Sequence, residues 1–365
     1  MAAFLIPMLL VVVAGIIAVL TGIATPLLEI AAGIFAANIL GFESTEIINF
    51  LGEIGIIALM YLAGLEINID FIKKEYKKSL GLGAISFFTP FITIILVGKY
   101  LLGLTFLQAV IAGISLSATS VAIVYPILLQ RGKFNNEKRA LLSAAMITDI
   151  LGVVMLSIFF SETSMYTILF LVALIALAKP IRKIGAFFLR KLERKKSIGL
   201  KLKVVLLVLL GIEVIAPFAG IEAVLIAFLF GILTSELVND FEQIEIDLKS
   251  ITFAFLTPFF FFTVGLSIDA LQIASSLKYL IPFTLVGYIA HFAGTSIPAQ
   301  YLLKKNAKFA GHLFNSKLSI GIIATTLGLS TGVLTPEIYI ALVGALILCT
   351  FVSSVATHEK FTLEG

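Results

Sequence analysis

The sequence predicts an all-α polytopic membrane protein of about thirteen transmembrane helices, and three observations carry that prediction. Of 365 residues, 60% are hydrophobic and 13% charged, with a mean hydropathy of +1.12; a water-soluble domain so composed would expose large apolar patches. The apolar runs are about 20 residues long, as a hydrocarbon core roughly 30 Å thick demands of helices, and lack the strict alternation of a transmembrane barrel. Finally, 23 of the 26 Lys and Arg residues fall in loops on one predicted side, only Lys99 and Lys278 fall on the other, and Lys317 lies within a span. That bias obeys the positive-inside rule, placing the N-terminus outside and the C-terminus in the cytoplasm. The net charge of +4 therefore reflects topology in a cell membrane, and no nucleic-acid partner is expected.

Gly, Pro and charge clusters divide the chain into spans, taken here in order. The first, about 4–21, has no basic n-region or clear cleavage site and reads as a retained helix. Spans of about 24–41 and 47–66 follow, the third closing on Ala63-Gly64-Leu65-Glu66-Ile67-Asn68-Ile69-Asp70. After a span at about 79–101, the fifth (about 106–130) carries the hydroxyls Ser115, Ser117, Thr119 and Ser120, then Tyr125-Pro126, a helix-breaking pattern. The sixth, about 137–160, holds a single ionisable group near its centre, Asp149. A seventh, about 164–189, leads into the basic run Arg190 to Lys196, which reads as a cytoplasmic anchor near anionic lipid. Spans eight and nine cover about 201–218 and 220–238; span ten, about 250–268, closes on Val264-Gly265-Leu266-Ser267-Ile268-Asp269. The eleventh, about 277–303, has His291 near its middle, and the twelfth, about 309–332, holds Lys317 and the polar run Ala324-Thr325-Thr326 to Gly332. The last, about 336–356, contains the one cysteine, Cys349. No internal disulfide, Cys/His metal site or cofactor is expected.

Two segment pairs point to an inverted repeat, spans 1–6 against 8–13 with span 7 as connector. The ends of spans 3 and 10 match, and Ala118-Thr119-Ser120 of span 5 matches Ala324-Thr325-Thr326 of span 12. Each pair is offset by seven spans, so its members run in opposite directions, as in secondary transporters that build two alternately open faces around one site. Both hydroxyl-rich stretches are expected to unwind, because broken helices at membrane depth line a cavity or are buried in protein.

Asp149 is where the chemistry is expected. A charge at that depth costs at least about 2.5 to 3.5 kcal/mol on insertion scales, so such a residue usually marks an ion or proton path. The competing reading is a protonated Asp serving as interhelical glue, with a contribution of about 1 kcal/mol. Sodium or potassium needs oxygen ligands, and Ser117, Thr119, Ser120, Thr148 and Asp149 supply a shell. Two readings stand for Lys317: a side chain snorkelling to the interface, or an ion pair with a carboxylate such as Glu66. His291 reads as a neutral imidazole satisfied by a neighbouring hydroxyl.

With these motifs in view, the chain resembles the monovalent cation:proton antiporter-2 family, sodium/proton exchangers that include the membrane part of Kef-type potassium efflux systems. The resemblance rests on Leu62 to Glu66, Ser117 to Ser120, Thr148-Asp149, Ala227-Phe228-Leu229-Phe230-Gly231 and Pro258 to Leu266. It implies crossed discontinuous helices 5 and 12, a mobile core (about 79–160 and 277–356), and a homodimer built by the scaffold (about 4–66 and 201–268), with a linker helix at about 164–189. It implies too that Asp149 binds the cation and carries the proton, with Thr148 at a position that varies among members. Three departures matter: Thr148 stands where electrogenic relatives have a second aspartate, His291 where they have a lysine, and Lys317-Leu318-Ser319 where many have Arg-Gly-Glu. No G-x-G-x-x-G follows a strand, so nucleotide gating is not expected.

Either cargo, a proton or Na+ or K+, neutralises Asp149, so the core should move only when loaded. One carboxylate implies one proton per cation, an electroneutral exchange; a proton released by His291 in each cycle makes it electrogenic. A gated monovalent cation channel or efflux system is the alternative, predicting unitary currents without proton counterflow. An organic-anion transporter wants a cationic midplane site, and an intramembrane aspartyl enzyme needs a second carboxylate beside Asp149. Neither is visible, so no enzymatic activity is expected.

Overall fold

The computed structural model describes residues 2–357 apart from 22, 66–75, 131–135, 161–179, 181–182, 186, 188–198, 220–222, 240–241 and 304–305. The described elements are helical: α1 (Ala2–Thr21), α2 (Thr25–Asn38), α3 (Glu46–Leu65), α4 (Tyr76–Leu96), α5 (Phe106–Ser117), α6 (Val121–Gln130), α7 (Asn136–Phe160), α8 (Leu200–Ala219), α9 (Ala223–Asn239), α10 (Glu242–Ile251), α11 (Thr257–Leu266), α12 (Ile273–Leu303), α13 (Ala307–Leu313), α14 (Ser319–Ser330) and α15 (Pro336–Thr357). Among the described residues, seven helical stretches are long and apolar enough to cross a bilayer, as befits a multi-pass membrane protein. Twelve expected spans coincide with these helices; the seventh, about 164–189, lies largely outside the described residues.

Local chemistry sets the helix ends. Thr105 and Gln108 form a reciprocal capping box at the start of α5, satisfying two backbone donors that the first turn leaves free. Gly332, at φ 70°, turns the chain after α14 in a left-handed conformation that side-chain-bearing residues resist. The backbone of α6 stays helical past Tyr125-Pro126, so the interruption in span 5 precedes the proline. Two π-helical turns, Val97–Leu101 after α4 and Thr252–Leu256 between α10 and α11, were not foreseen.

The chain divides into two compact units. The first comprises Met1–Val11, Ser44–Asn68 and Ser157–Thr263. Its centre is the α3–α9 pair: a Cβ on Gly64 would run into the Phe228 carbonyl, and one on Gly231 into the Tyr61 carbonyl. Small residues at a crossing let backbones approach and gain dispersion where lipid supplies no hydrophobic drive. Tyr61 OH reaches Thr234 Oγ1 at 3.0 Å, and Phe4 stacks on Phe259 at 5.5 Å. The second unit comprises Val12–Glu43, Ile69–Leu156 and Val264–Gly365. Here α12 packs against α4 and α15, and α5 against α4 and α14. Gly321 of α14 lies against the Ser115 carbonyl of α5, and Gly265 of α11 against the Ile30 carbonyl and Gly33 of α2. The glycine crossing of span 3 on span 9 thus recurs as span 10 on span 2, the exchange of partners that an inverted repeat requires.

The twelfth span corrects the sequence reading. Ala324-Thr325-Thr326 lies inside α14, and the interruption falls earlier, between Leu313 and Ser319. Thr325 Oγ1 bonds the Gly321 and Ile322 carbonyls one turn back, so its hydroxyl is satisfied without unwinding the helix. The structural counterpart of Ala118-Thr119-Ser120 is Ser316-Lys317-Leu318.

Candidate ion-binding site

The two interruptions meet. Ala118, the C-cap of α5, is extended at φ −75°, ψ 143°, and the chain re-enters helix at Val121. The Ser120 N–H donates to the Ser316 carbonyl at 2.6 Å, and Ser120 Oγ pairs with Ser319 Oγ. Thr119 Oγ1 donates to the Phe314 carbonyl at 3.0 Å. Groups released by unwinding one helix are therefore satisfied in part by the other, as buried backbone demands.

Asp149 approaches this crossing from α7. Its side chain is 3% exposed, and Oδ2 accepts from the Val121 N–H at 3.4 Å. Val121 opens α6, so the carboxylate faces the end of a half-helix where free N–H groups and the dipole favour negative charge. Thr148 Oγ1 donates to the Ala145 carbonyl at 2.7 Å and accepts from the Thr119 N–H at 3.2 Å. One lone pair of that oxygen remains for a further partner. Ser117 Oγ is buried and has no hydrogen-bond partner among the described residues.

His291 is fully buried in α12, with Nε2 3.4 Å from Thr119 Oγ1. Because that hydroxyl already donates to Phe314, a neutral ring must carry its hydrogen on Nε2, an assignment made from the bonding pattern. A neighbouring hydroxyl was expected, and Thr119 is that group.

Lys317 overturns one of its two readings. It does not snorkel: its side chain is 0% exposed, and Nζ donates to the Gly287 carbonyl at 2.9 Å. Its own N–H donates to Thr350 Oγ1 at 3.1 Å. Tertiary packing draws the residue inward because it sits in the interrupted segment, not at a helix end near water. Glu66, the other proposed supporting charge, lies outside the described residues.

Thr119 contacts Thr148 and His291 directly, Ser120 is bonded to Ser316 beside Lys317, and Asp149 reaches the same segment through the Val121 N–H. Sequence reasoning passed over Asn315, whose Nδ2 donates to the Gly311 carbonyl at 3.0 Å and faces the Tyr288 carbonyl at 3.4 Å. It also passed over Glu29, 4% exposed within α2, although a lone acid in an apolar span is the signal that identified Asp149. A cavity of about 530 Å³ lined by Gly103, Gln108, Gln272, Tyr279 and Glu337 lies among loop ends and includes none of the residues around Asp149.

Comparison with known proteins bears on the fold and the family. The sodium proton antiporter MjNhaP1 of Methanocaldococcus jannaschii, solved at pH 8, shares the fold with a TM-score of 0.71 at 16% identity, over 98% of this chain and 95% of that one. A probable Na(+)/H(+) antiporter 3 of the same organism is 28% identical over 92% of this chain and 89% of its own length. The Na(+)/H(+)-K(+) antiporter GerN of Bacillus cereus is 26% identical over 93% of this chain and 90% of its own length. The family described as sodium/hydrogen exchanger, transmembrane, matches residues 8–359, and the chain belongs to that family.

Proposed function

We propose that this chain is a secondary antiporter that exchanges Na+ or K+ for H+ by alternating access around Asp149, one proton per cation. The observation that carries the reading is the placement of Asp149: buried, on the starting turn of α6, where both interrupted helices meet. Thr119, Ser120, Thr148 and Ser117 supply hydroxyl oxygens in or beside the same crossing, and Ser117 Oγ has no hydrogen-bond partner among the described residues. A bare carboxylate moved through a dry barrier costs at least about 2.5 to 3.5 kcal/mol. A proton or a bound cation removes that cost, so loading is obligatory and the two fluxes are coupled. His291, holding its hydrogen toward Thr119, stays neutral through the cycle in this scheme.

The same reading places the N-terminus outside a cell membrane, assigns the scaffold to about 4–66 and 201–268 and the moving core to about 79–160 and 277–356, and makes the assembly a homodimer. The motifs Thr148-Asp149 and Pro258 to Leu266 favour the cation:proton antiporter-2 branch of the family. Names of similar proteins include both sodium and potassium, which is why both cations are carried forward.

Cation-driven dissipation of a pH gradient in proteoliposomes tests site and function together. The native protein is expected to collapse the gradient on adding Na+ or K+, and Asp149→Asn to lose at least about 100-fold, a barrier change of roughly 2.7 kcal/mol or more. Asp149→Asn activity near the native level would remove Asp149 from the mechanism. Clamping the membrane potential at several values separates stoichiometries, because a one-for-one exchange shows no voltage dependence.

A further inference from the structure

Beyond the crossing itself, the interrupted helices are tied together twice more, at opposite ends and by the same kind of side chain. Gln108 stands ten residues before Ala118, and Asn306 ten residues before Ser316. Gln108 Nε2 donates to the Val333 carbonyl at 3.0 Å, in the loop that leaves α14. Asn306 Nδ2 donates to Glu137 Oε2 at 3.0 Å, in the first turn of α7 just after α6. Each amide opens one interrupted span and grips the chain where the other interrupted span has ended. The two contacts run in the same sense, from the start of one interrupted span to the end of the other, though Gln108 stands in the first turn of α5 and Asn306 just before α13, and the acceptor is a carbonyl in one and a carboxylate in the other.

We propose that Gln108 and Asn306 are positioning residues, paired clasps that hold the two interrupted helices in register so that both breaks stay aligned with Asp149. The proposal rests on the antiport reading above. Neither residue touches the ion. Gln108 also completes the capping box with Thr105, so the carbonyl of its amide holds the start of α5 while its NH₂ reaches Val333. Oxygen ligands drawn from two crossed segments fit a cation only while the segments keep register, and misplacement of a supporting group is enough to weaken a site. Loss of a clasp should therefore appear in the half-saturation for the cation and leave the turnover of the loaded core near native.

The test measures sodium-driven proton flux by the full-length protein in proteoliposomes and separates KM from kcat. Gln108→Glu keeps an acceptor for the Thr105 N–H, and so the capping box, but removes the donor to Val333. Asn306→Asp removes the donor to Glu137 and sets two carboxylates face to face. Each is expected to raise KM for sodium roughly five- to ten-fold, the scale of one positioning hydrogen bond, with kcat within about two-fold of native. Combining Asn306→Asp with Glu137→Gln restores a bond with donor and acceptor exchanged, and KM should return to within about two-fold of native. Native KM in both single variants, a loss confined to kcat, or a double variant that is not rescued or does not assemble overturns the proposal. Failure of the clasps alone is recognised when the native protein exchanges and Asp149→Asn does not; absence of exchange by the native protein overturns the antiport reading, and the clasps with it.

Discussion

The two interruptions of the crossed helices carry opposite charges and satisfy them in opposite ways. At residues 118–120 the nearby charge is Asp149, whose Oδ2 accepts from the Val121 N–H at 3.4 Å. At residues 314–318 the charge is Lys317, fully buried and bonded at 2.9 Å to the carbonyl of Gly287. The carboxylate offers only acceptors, which in the proposed scheme a proton or a cation takes over. The ammonium offers only hydrogens, and the protein itself supplies its acceptor. On the proposed reading, one break exchanges its partner and the other keeps it.

This contrast is most sharply tested at Lys317. Desolvating an ammonium costs several kcal/mol, more than the roughly 1.5 to 3 kcal/mol that one hydrogen bond from a charged group returns, so replacing it by an apolar chain of similar length should not weaken the fold. In Lys317→Met we expect thermal stability in detergent equal to native or higher, while sodium-driven exchange falls at least about tenfold. A variant that unfolds more easily yet exchanges normally would make Lys317 a structural prop and end the contrast.

A smaller effect is expected at Thr119, which braces one break on the other. Thr119→Val removes the donor to the Phe314 carbonyl and the partner of His291 Nε2. Unmet buried groups cost about 1 to 3 kcal/mol, so the melting temperature should fall and Thr119→Ser, which keeps the hydroxyl, should recover most of it. Equal stabilities for the Val and Ser variants would show that the brace contributes nothing.

The smallest change belongs to Ser117, whose buried hydroxyl has no partner among the described residues. Deleting an unsatisfied hydroxyl removes a desolvation cost, so Ser117→Ala should match or slightly exceed native stability. If that oxygen is an ion ligand, KM for the cation rises about three-fold or more in the same variant, a loss of roughly 0.7 kcal/mol of binding. Unchanged KM with raised stability would assign Ser117 to packing alone.

How much of this was legible depended on where the partners lie in the chain. Asp149 declared itself because a lone acid in an apolar span has no cheap explanation, and the first break declared itself through Ser117, Thr119 and Ser120. The second break misled: the hydroxyl run at Ala324 to Thr331 looked more polar than the segment around Ser316. Thr325 and Thr331 in fact bond carbonyls of their own helix, which keeps the run helical. Ser316 and Lys317 instead find Ser353 and Gly287, partners on other helices that no local pattern announces. The snorkelling alternative for Lys317 failed for the same reason, since snorkelling is the default only for a lysine near a helix end.

Hydropathy and charge asymmetry determined from the sequence alone that this is a polytopic α-helical membrane protein, and one isolated carboxylate singled out Asp149 as its candidate site. Those signals are local: each depends on the transfer cost of side chains between water and lipid, which is a property of residues and their runs. Tertiary structure decided where the twelfth span breaks, which carbonyl receives the buried lysine, and which amides join the ends of the crossed helices. Hydrogen bonds between segments some 200 residues apart are chosen by the geometry of packed helices, and at membrane depth every freed backbone group must find such a partner.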